Sequence, residues 1–276
     1  MSQKVYLGMR PGDLDNKPYA KYWNPRMGPM QPQAQQAILH GVEAAELGVS
    51  LVEANQLLED GYLPLENGYT RLSTGEIFAA VLTKMPRVDE RMIDWWFGWH
   101  YLEHQRYKLW HPRAHVANGA QKMISDDPSL FDRLKYLNNP NYVTEYIGSR
   151  LQRVTITFAE PSTYFDVSRF QKGNIGTVIC GTIAFRKAPM RFGVLMHLIR
   201  RTEDGCEMRS RFWLGHLSIQ AWSPAHPVNR MLASNQLTRY SLPLSMGRDL
   251  LVHCAMEMNH LASFLPALYA DYHREA

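Results

Sequence analysis

Cysteine is scarce in this chain, and most of the devices by which a sequence advertises a specialised class are missing with it. Cys180, Cys206 and Cys254 are the only three in 276 residues. They are too few and too widely spaced for a disulfide framework or a four-thiolate zinc site, and their odd number points to a reducing compartment. No stretch reaches the roughly 18 apolar residues of a membrane span, and MSQKVYLGMRPGD lacks the apolar core of a secretory signal. The expected location is the cytoplasm. Charge of one sign is also lacking. The 30 Lys and Arg against 26 Asp and Glu leave a net charge of +4, with the basic residues scattered, which argues against nucleic acid or an anionic membrane as partner. GxGxxG, the P-loop and GxSxG are all absent, so neither nucleotide chemistry nor a serine nucleophile is suggested.

What is present is an ordinary globular balance, 45% apolar and 20% charged, with a generous seven Trp and fourteen Tyr. The length suits one large domain, or a core domain with an appendage. Residues 1–32 are rich in Pro, Gly and Asn and read as an irregular arm. From Pro32 to about Leu58 apolar residues recur near helical spacing, and Gly61 supplies a stop. Leu63 to Lys84 looks extended, with Asn-Gly and Thr-Gly turn signals. The segment from Val88 to Tyr107 has acids in its first turn and bulky residues at Met92, Trp95, Trp96 and Trp99, which predicts one amphipathic helix.

Downstream the pattern changes to strands over Tyr142–Ile147, Arg150–Phe158, Ile175–Arg186, Arg191–Arg201 and Cys206–His216, with Glu203-Asp204-Gly205 as a hairpin tip. A long helix over Ser245–Tyr272 closes the chain, and Pro266 is expected to kink it or to end its first section. The order predicts an α+β fold in which a curved antiparallel sheet grips the last helix. Residues 1–85 are expected as a mainly helical N-terminal extension, and residues 86–276 as the catalytic domain.

The chemistry begins on the terminal helix. Met246, Leu250, His253, Glu257, Leu261, Phe264 and Leu268 form one stripe, so His253 and Glu257 interrupt an apolar face. A carboxylate aimed at a core costs several kcal/mol unless it is paired or bound to a metal. His and Glu one turn apart reach a common point, as in helical metal sites, although a surface hydrogen bond between them uses the same spacing. In NYVTEY, strand alternation puts Val143 and Glu145 on one face and Tyr142, Thr144 and Tyr146 on the other; period alone leaves open which face is inward. RYKLWHPRAHVANG carries Tyr107, His111, His115 and Asn118, with His111 suited to capping the preceding helix. His197 shares a predicted strand face with Leu195 and Ile199, as an acid or base in a cavity or as a satisfied core histidine.

These clusters, in this order, resemble the diacetylphloroglucinol hydrolase family, which includes phloretin hydrolase. WWFGWH, RYKLWHPRAHVAN, the Glu of NYVTEY and HCAME carry the likeness from about Met92 onward. The resemblance implies a Bet v 1-like helix-grip domain and a zinc ion held by His115, Glu145, His253 and Glu257. It also implies substrate contacts from Tyr107, Asn118 and His197, with Trp95, Trp96 and Trp99 walling the pocket. Where the family places a second substrate-binding Tyr, this chain has Phe212; Asp126 and Asp127 are the nearest candidates for an acidic pocket residue. The implied substrate is a small aromatic acyl ketone, and the implied assembly a homodimer. Cleavage between ring and acyl carbon becomes feasible because three meta hydroxyls let the ring adopt a keto form, so that an enolate departs. Zinc would polarise a carbonyl and activate water, with Glu145 or Glu257 accepting a proton. Two rivals use the same residues differently: a helix-grip carrier of an apolar small molecule, which needs no inward His and Glu quartet, and an iron- or manganese-dependent enzyme.

Overall fold

The computed structural model describes residues 8–219, 222, 226–232 and 242–273. Its N-terminal arm carries a short 3-10 turn, Pro18–Tyr22, followed by helix α1, Pro32–His40. The single helix expected from Pro32 to Leu58 does not form. Gly41 ends α1 with φ +97°, a left-handed conformation that only glycine adopts without strain, and Val42 then bridges to Tyr69. The chain continues as two 3-10 segments, Ala45–Leu47 and Leu51–Leu58, the second started by a Ser50/Glu53 capping box.

Strands β1, Gly68–Arg71, and β2, Ile77–Pro86, form a hairpin across the Thr74-Gly75 turn. Helix α2, Glu90–Trp99, is capped by Asp89, whose carboxylate accepts the Met92 amide at 3.0 Å. It stops eight residues short of the expected Tyr107 because its end is chemically closed. The Trp96 carbonyl takes both the backbone N–H and the ring N–H of His100, and the Trp99 carbonyl takes Arg106 Nη1 at 3.1 Å and Ser125 Oγ at 3.3 Å. Helix α3, His104–Trp110, then starts in a new direction.

Strand β3, His115–Ala117, helix α4, Asp132–Tyr136, and strands β4, Asn141–Ile147, and β5, Arg150–Ala159, follow. Strands β6, Ile175–Phe185, β7, Met190–Thr202, and β8, Gly205–Ile219, complete the sheet. Thr202 pairs with Gly205, so Glu203 and Asp204 form the expected tight tip. Helix α5, Pro227–Leu232, and the long helix α6, Ser245–Tyr272, come last. Pro266 lies inside α6 without ending it.

The strands form one eight-stranded antiparallel sheet in the order β1-β2-β8-β7-β6-β5-β4-β3. This is the α+β helix-grip plan: α6 packs along one face of the sheet, in contact with β2, β1 and β4. Its apolar edge, Leu251, Met258, Leu261, Leu265 and Leu268, is fully buried. Each such side chain is worth roughly 1.5–3 kcal/mol relative to exposure.

The opposite face is covered by the Leu51–Leu58 segment, with Trp213 Nε1 donating to the Val49 carbonyl at 2.7 Å. Strand β2, Ile77–Pro86, crosses the expected boundary at residue 85 and pairs with β8 along its length as an inner strand of the sheet.

Candidate metal centre

Two local geometries bring four side chains, His115, Glu145, His253 and Glu257, to one point. On α6, His253 and Glu257 lie one turn apart and both are buried. Across the β3–β4 ladder, His115 and Glu145 are register partners. The alternation question in β4 is thereby answered. Val143, Glu145 and Ile147 face a cavity beneath α6, while Tyr142 turns away and stacks against the Arg186 guanidinium. The irregular step between His115 and Ala117 bends β3 beside the helix.

His115 Nε2 lies 3.3 Å from His253 Nε2, 3.2 Å from Glu257 Oε2 and 3.4 Å from Glu145 Oε2. His253 Nε2 lies 3.5 Å from Glu257 Oε2 and 3.6 Å from Glu145 Oε2. A tetrahedral ion with bonds of roughly 2.0–2.1 Å sets its donors about 3.3 Å apart. His115, His253 and Glu257 are buried and able to hold such an ion, each offering one atom within 4.8 Å of the others.

The tautomers fit as well. His115 Nδ1 donates to the Tyr107 carbonyl at 3.0 Å, which leaves a lone pair on Nε2, and the Tyr146 backbone bonds the His253 ring. Two imidazole nitrogens 3.3 Å apart need a cation or a proton between them. Two carboxylates in the same buried space need positive charge.

The electrostatics respond to this crowding. Burial alone would raise the Glu257 carboxyl, but His253 and His115 hold it well below the usual carboxylate range. Burial would depress His253, yet Glu257, Glu145 and the Tyr146 backbone outweigh it and lift its imidazole above the ordinary value. Tyr107 stacks on His115 with ring centroids 3.7 Å apart and 5° between the planes, and its hydroxyl donates to Glu145 Oε2.

The cavity beside this cluster is mostly apolar, walled by Phe97, Trp110, Val143, Leu195, Phe212 and Leu250 among others. Besides the cluster and Tyr107, the polar side chains His100, Asn118, Asn141, Gln152 and His197 line it, His197 with Nδ1 2.8 Å from Ser210 Oγ and with burial pushing its pKa down to about 4. Phe212 lies against His197, ring centroids 5.8 Å apart.

The tryptophans do not wall the cavity as expected. Trp95 packs on Trp99 and Tyr269, and Trp96 is fully buried against His100, Trp110 and Phe264; the helix presents Phe97 instead. Asp126 and Asp127 also stay outside it, Asp126 exposed beside Arg106 and Asp127 bound to Ser129.

Two histidines matter more here than the sequence suggested. His100, the last residue of WWFGWH, lines the cavity and bonds Asn118. His111 is buried and stacks on His253 at 4.8 Å, and burial together with His253 and His115 pushes its pKa down to about 2. Neither carries a spacing that periodicity could single out.

Two buried histidines and a buried Glu257, with the half-buried Glu145 beside them, sit at one end of an apolar cavity gripped between a sheet and a terminal helix; this arrangement defines a small-molecule enzyme with a candidate metal centre. The chain belongs to the diacetylphloroglucinol hydrolase family: the family model described as DAPG hydrolase PhiG domain matches residues 47–270. It is 31% identical over 98% of its length to 2,4-diacetylphloroglucinol hydrolase of Pseudomonas protegens, covering 89% of that relative. To phloretin hydrolase of Eubacterium ramulus it is 26% identical over 92% of its length, again covering 89%. Among solved structures, that titled crystal structure of Ara h 8.0201 matches 69% of this chain and 99% of its own, at 9% identity and a TM-score of 0.37. The fold assignment rests on strand order and helix placement, not on that likeness. No described helix is long and apolar enough to cross a membrane.

Proposed function

We propose that this enzyme hydrolyses the carbon–carbon bond between an acyl group and a phloroglucinol ring, using zinc held by His115, Glu145, His253 and Glu257. The observation that carries the reading is the set of 3.2–3.6 Å separations linking His115 and His253 with the two carboxylates, at the edge of an apolar cavity. Family membership over most of the chain supports the substrate class. A carrier of apolar ligands would have no use for a buried Glu257 and a half-buried Glu145 that must be neutralised together.

Zinc bound there would supply a Lewis acid for a carbonyl oxygen and would bring the pKa of water toward about 7. The remaining work falls to the chain's own residues. Phe97, Leu195 and Phe212 flank the aromatic ring of the substrate and exclude bulk water from the cavity. Asn118 donates to a substrate oxygen. Glu145, oriented by the Tyr107 hydroxyl, accepts the proton of the attacking water, whose oxygen forms the new bond to the acyl carbon. As the enolate leaves, the proton taken by Glu145 is passed on to the ring carbon, with His197, buried and neutral in its resting state, as the relay. The products are a carboxylic acid and a phloroglucinol carrying one acyl group fewer.

Phe212 is an apolar ring at the cavity wall, and it favours the bulkier acyl arm of phloretin over a small acetyl group. A cytoplasmic setting suits three buried free thiols, and homodimerisation belongs to the same reading. Incubation of the purified protein with phloretin and with 2,4-diacetylphloroglucinol, following phloretic acid and acetate, tests the proposal. Release of either acid is expected, with phloretin the better substrate; release of neither contradicts it.

A further inference from the structure

Asn118 can meet a ligand with either end of its carboxamide, and the two ends select opposite partners. An N–H recognises an acceptor, whereas the C=O recognises a hydroxyl that donates. The structure fixes the choice through His100. His100 closes α2 with its own ring: Nδ1 lies 2.8 Å from the Trp96 carbonyl, and a carbonyl can only accept. His100 therefore carries its proton on Nδ1, and Nε2 keeps a lone pair. Burial reinforces this by pushing the His100 pKa down to about 4, so the ring is neutral near pH 7.

The lone pair faces Asn118 Nδ2 at 3.0 Å, so the amide must present its NH2 end there. The other end agrees, because Asn118 Oδ1 accepts the Gly119 amide at 2.7 Å. Reversing the carboxamide would set oxygen against a lone pair in a buried contact and NH2 against the Gly119 N–H in a part-buried one. His104 Nδ1 donates to the Asn118 carbonyl at 2.7 Å, which anchors the backbone from the other side. Only one of the two Nδ2 protons is used by His100, and the other is what Asn118 has to offer the cavity that both residues line. His197 contrasts with this, since its partner Ser210 has a hydroxyl that both gives and takes and so leaves the tautomer open.

We propose that His100 is a positioning residue that locks the Asn118 carboxamide with an N–H toward the cavity, so that this wall selects an oxygen acceptor, a carbonyl or phenolate oxygen, over a donating hydroxyl. The inference rests on the reading of Asn118 as a substrate contact, and two measurements separate the parts.

Long-range nitrogen–proton correlation on the full chain labelled with 15N-histidine, with His100 identified by its contacts to Trp96, reads the tautomer directly. A protonated Nδ1 and an unprotonated Nε2 are expected; the reverse tautomer overturns the proposal whatever the kinetics show. In the second, His100→Phe, Asn118→Ala and the double variant are compared for zinc content and for turnover of phloretin or 2,4-diacetylphloroglucinol.

Each single variant is expected to lose at least about 10-fold in kcat/KM with zinc content unchanged, while the double variant is no worse than Asn118→Ala alone. Losses that multiply would make His100 mere packing and overturn the positioning role. Unchanged kinetics in Asn118→Ala would instead overturn the substrate contact, and the acceptor selectivity with it, while the tautomer result would stand.

Discussion

The Nε2 atoms of His115 and His253 stand 3.3 Å apart although 138 residues separate them in the chain. His115 reaches that point from a short strand and His253 from the first third of the terminal helix. With Nδ1 of His115 committed to the Tyr107 carbonyl, its Nε2 has only a lone pair to offer, so the contact is favourable only with a proton or a metal cation between the rings. That relationship, more than any single residue, is what makes the cluster a metal centre in the proposed function.

Replacing His115 by Ala should remove one of the four proposed ligands and leave Glu145 and Glu257 underneutralised. Zinc per chain, measured by plasma emission spectroscopy, is expected to fall from near one to a small fraction. Turnover should fall by at least about 100-fold. Full metal content with full turnover would remove His115 from the site.

Tyr107→Phe keeps the ring that stacks on His115 and deletes only the hydroxyl bonded to Glu145. A lost partner behind a ligand typically weakens metal binding by about 10–100-fold. Competition with a fluorescent zinc chelator should show that weakening, with the melting temperature little changed. An unaltered zinc affinity would mean that the hydroxyl serves the substrate alone.

A buried ion cluster away from the centre is expected to contribute to the acid limb of stability. Burial pushes the Glu66 carboxyl up, but Arg211 and Arg209 outweigh it and hold it below the usual carboxylate value. A folded-state pKa lower than the unfolded one, about 4.3, contributes stability that is complete above the unfolded value and is lost as pH falls through the folded value. Glu66→Gln should therefore cost about 3–5 kcal/mol at neutral pH, since it strands two buried guanidiniums, and should flatten the loss of stability below pH ~4. Urea unfolding at pH 7 and pH 3 checks both; equal penalties at the two pH values would contradict the assignment.

Helix α2 offers a control. Asp89→Ala removes the carboxylate that accepts the Met92 amide, and should cost roughly 1 kcal/mol of stability in urea unfolding while zinc content and turnover remain intact. A large loss of zinc would show that α2 governs the centre more directly than its packing suggests.

The terminal helix and the hairpin at Glu203-Asp204 were legible in the sequence because local patterns decide them: an i, i+3, i+4 stripe through Leu261 and Leu268, and a two-residue turn before Gly205. His253 and Glu257 stood out there as polar breaks in an apolar face. The orientation of Glu145 was not legible, since a period of two cannot say which face is covered; α6 and the Tyr142–Arg186 stack decide it.

The break after Trp99 was hidden for a different reason. It depends on the His100 ring, Arg106 and Ser125 closing the helix end, and Ser125 lies 26 residues downstream of the carbonyl it caps. The same holds for Trp95 and Trp96, which an amphipathic pattern cannot distinguish from Phe97; the cavity belongs to the residue that the packing leaves uncovered. The pairing of β2 was hidden because its partner, β8, lies more than 100 residues later in the chain.

The most direct test of the central claim is turnover by one purified preparation carried through zinc removal and restoration. Phloretin and 2,4-diacetylphloroglucinol are supplied in parallel, and His115→Ala is treated alongside. The account predicts cleavage of at least one substrate, loss of that activity after chelation, and recovery with zinc in the natural chain but not in the variant. Cleavage that survives complete metal removal, or no cleavage of either compound by fully zinc-loaded protein, would contradict it.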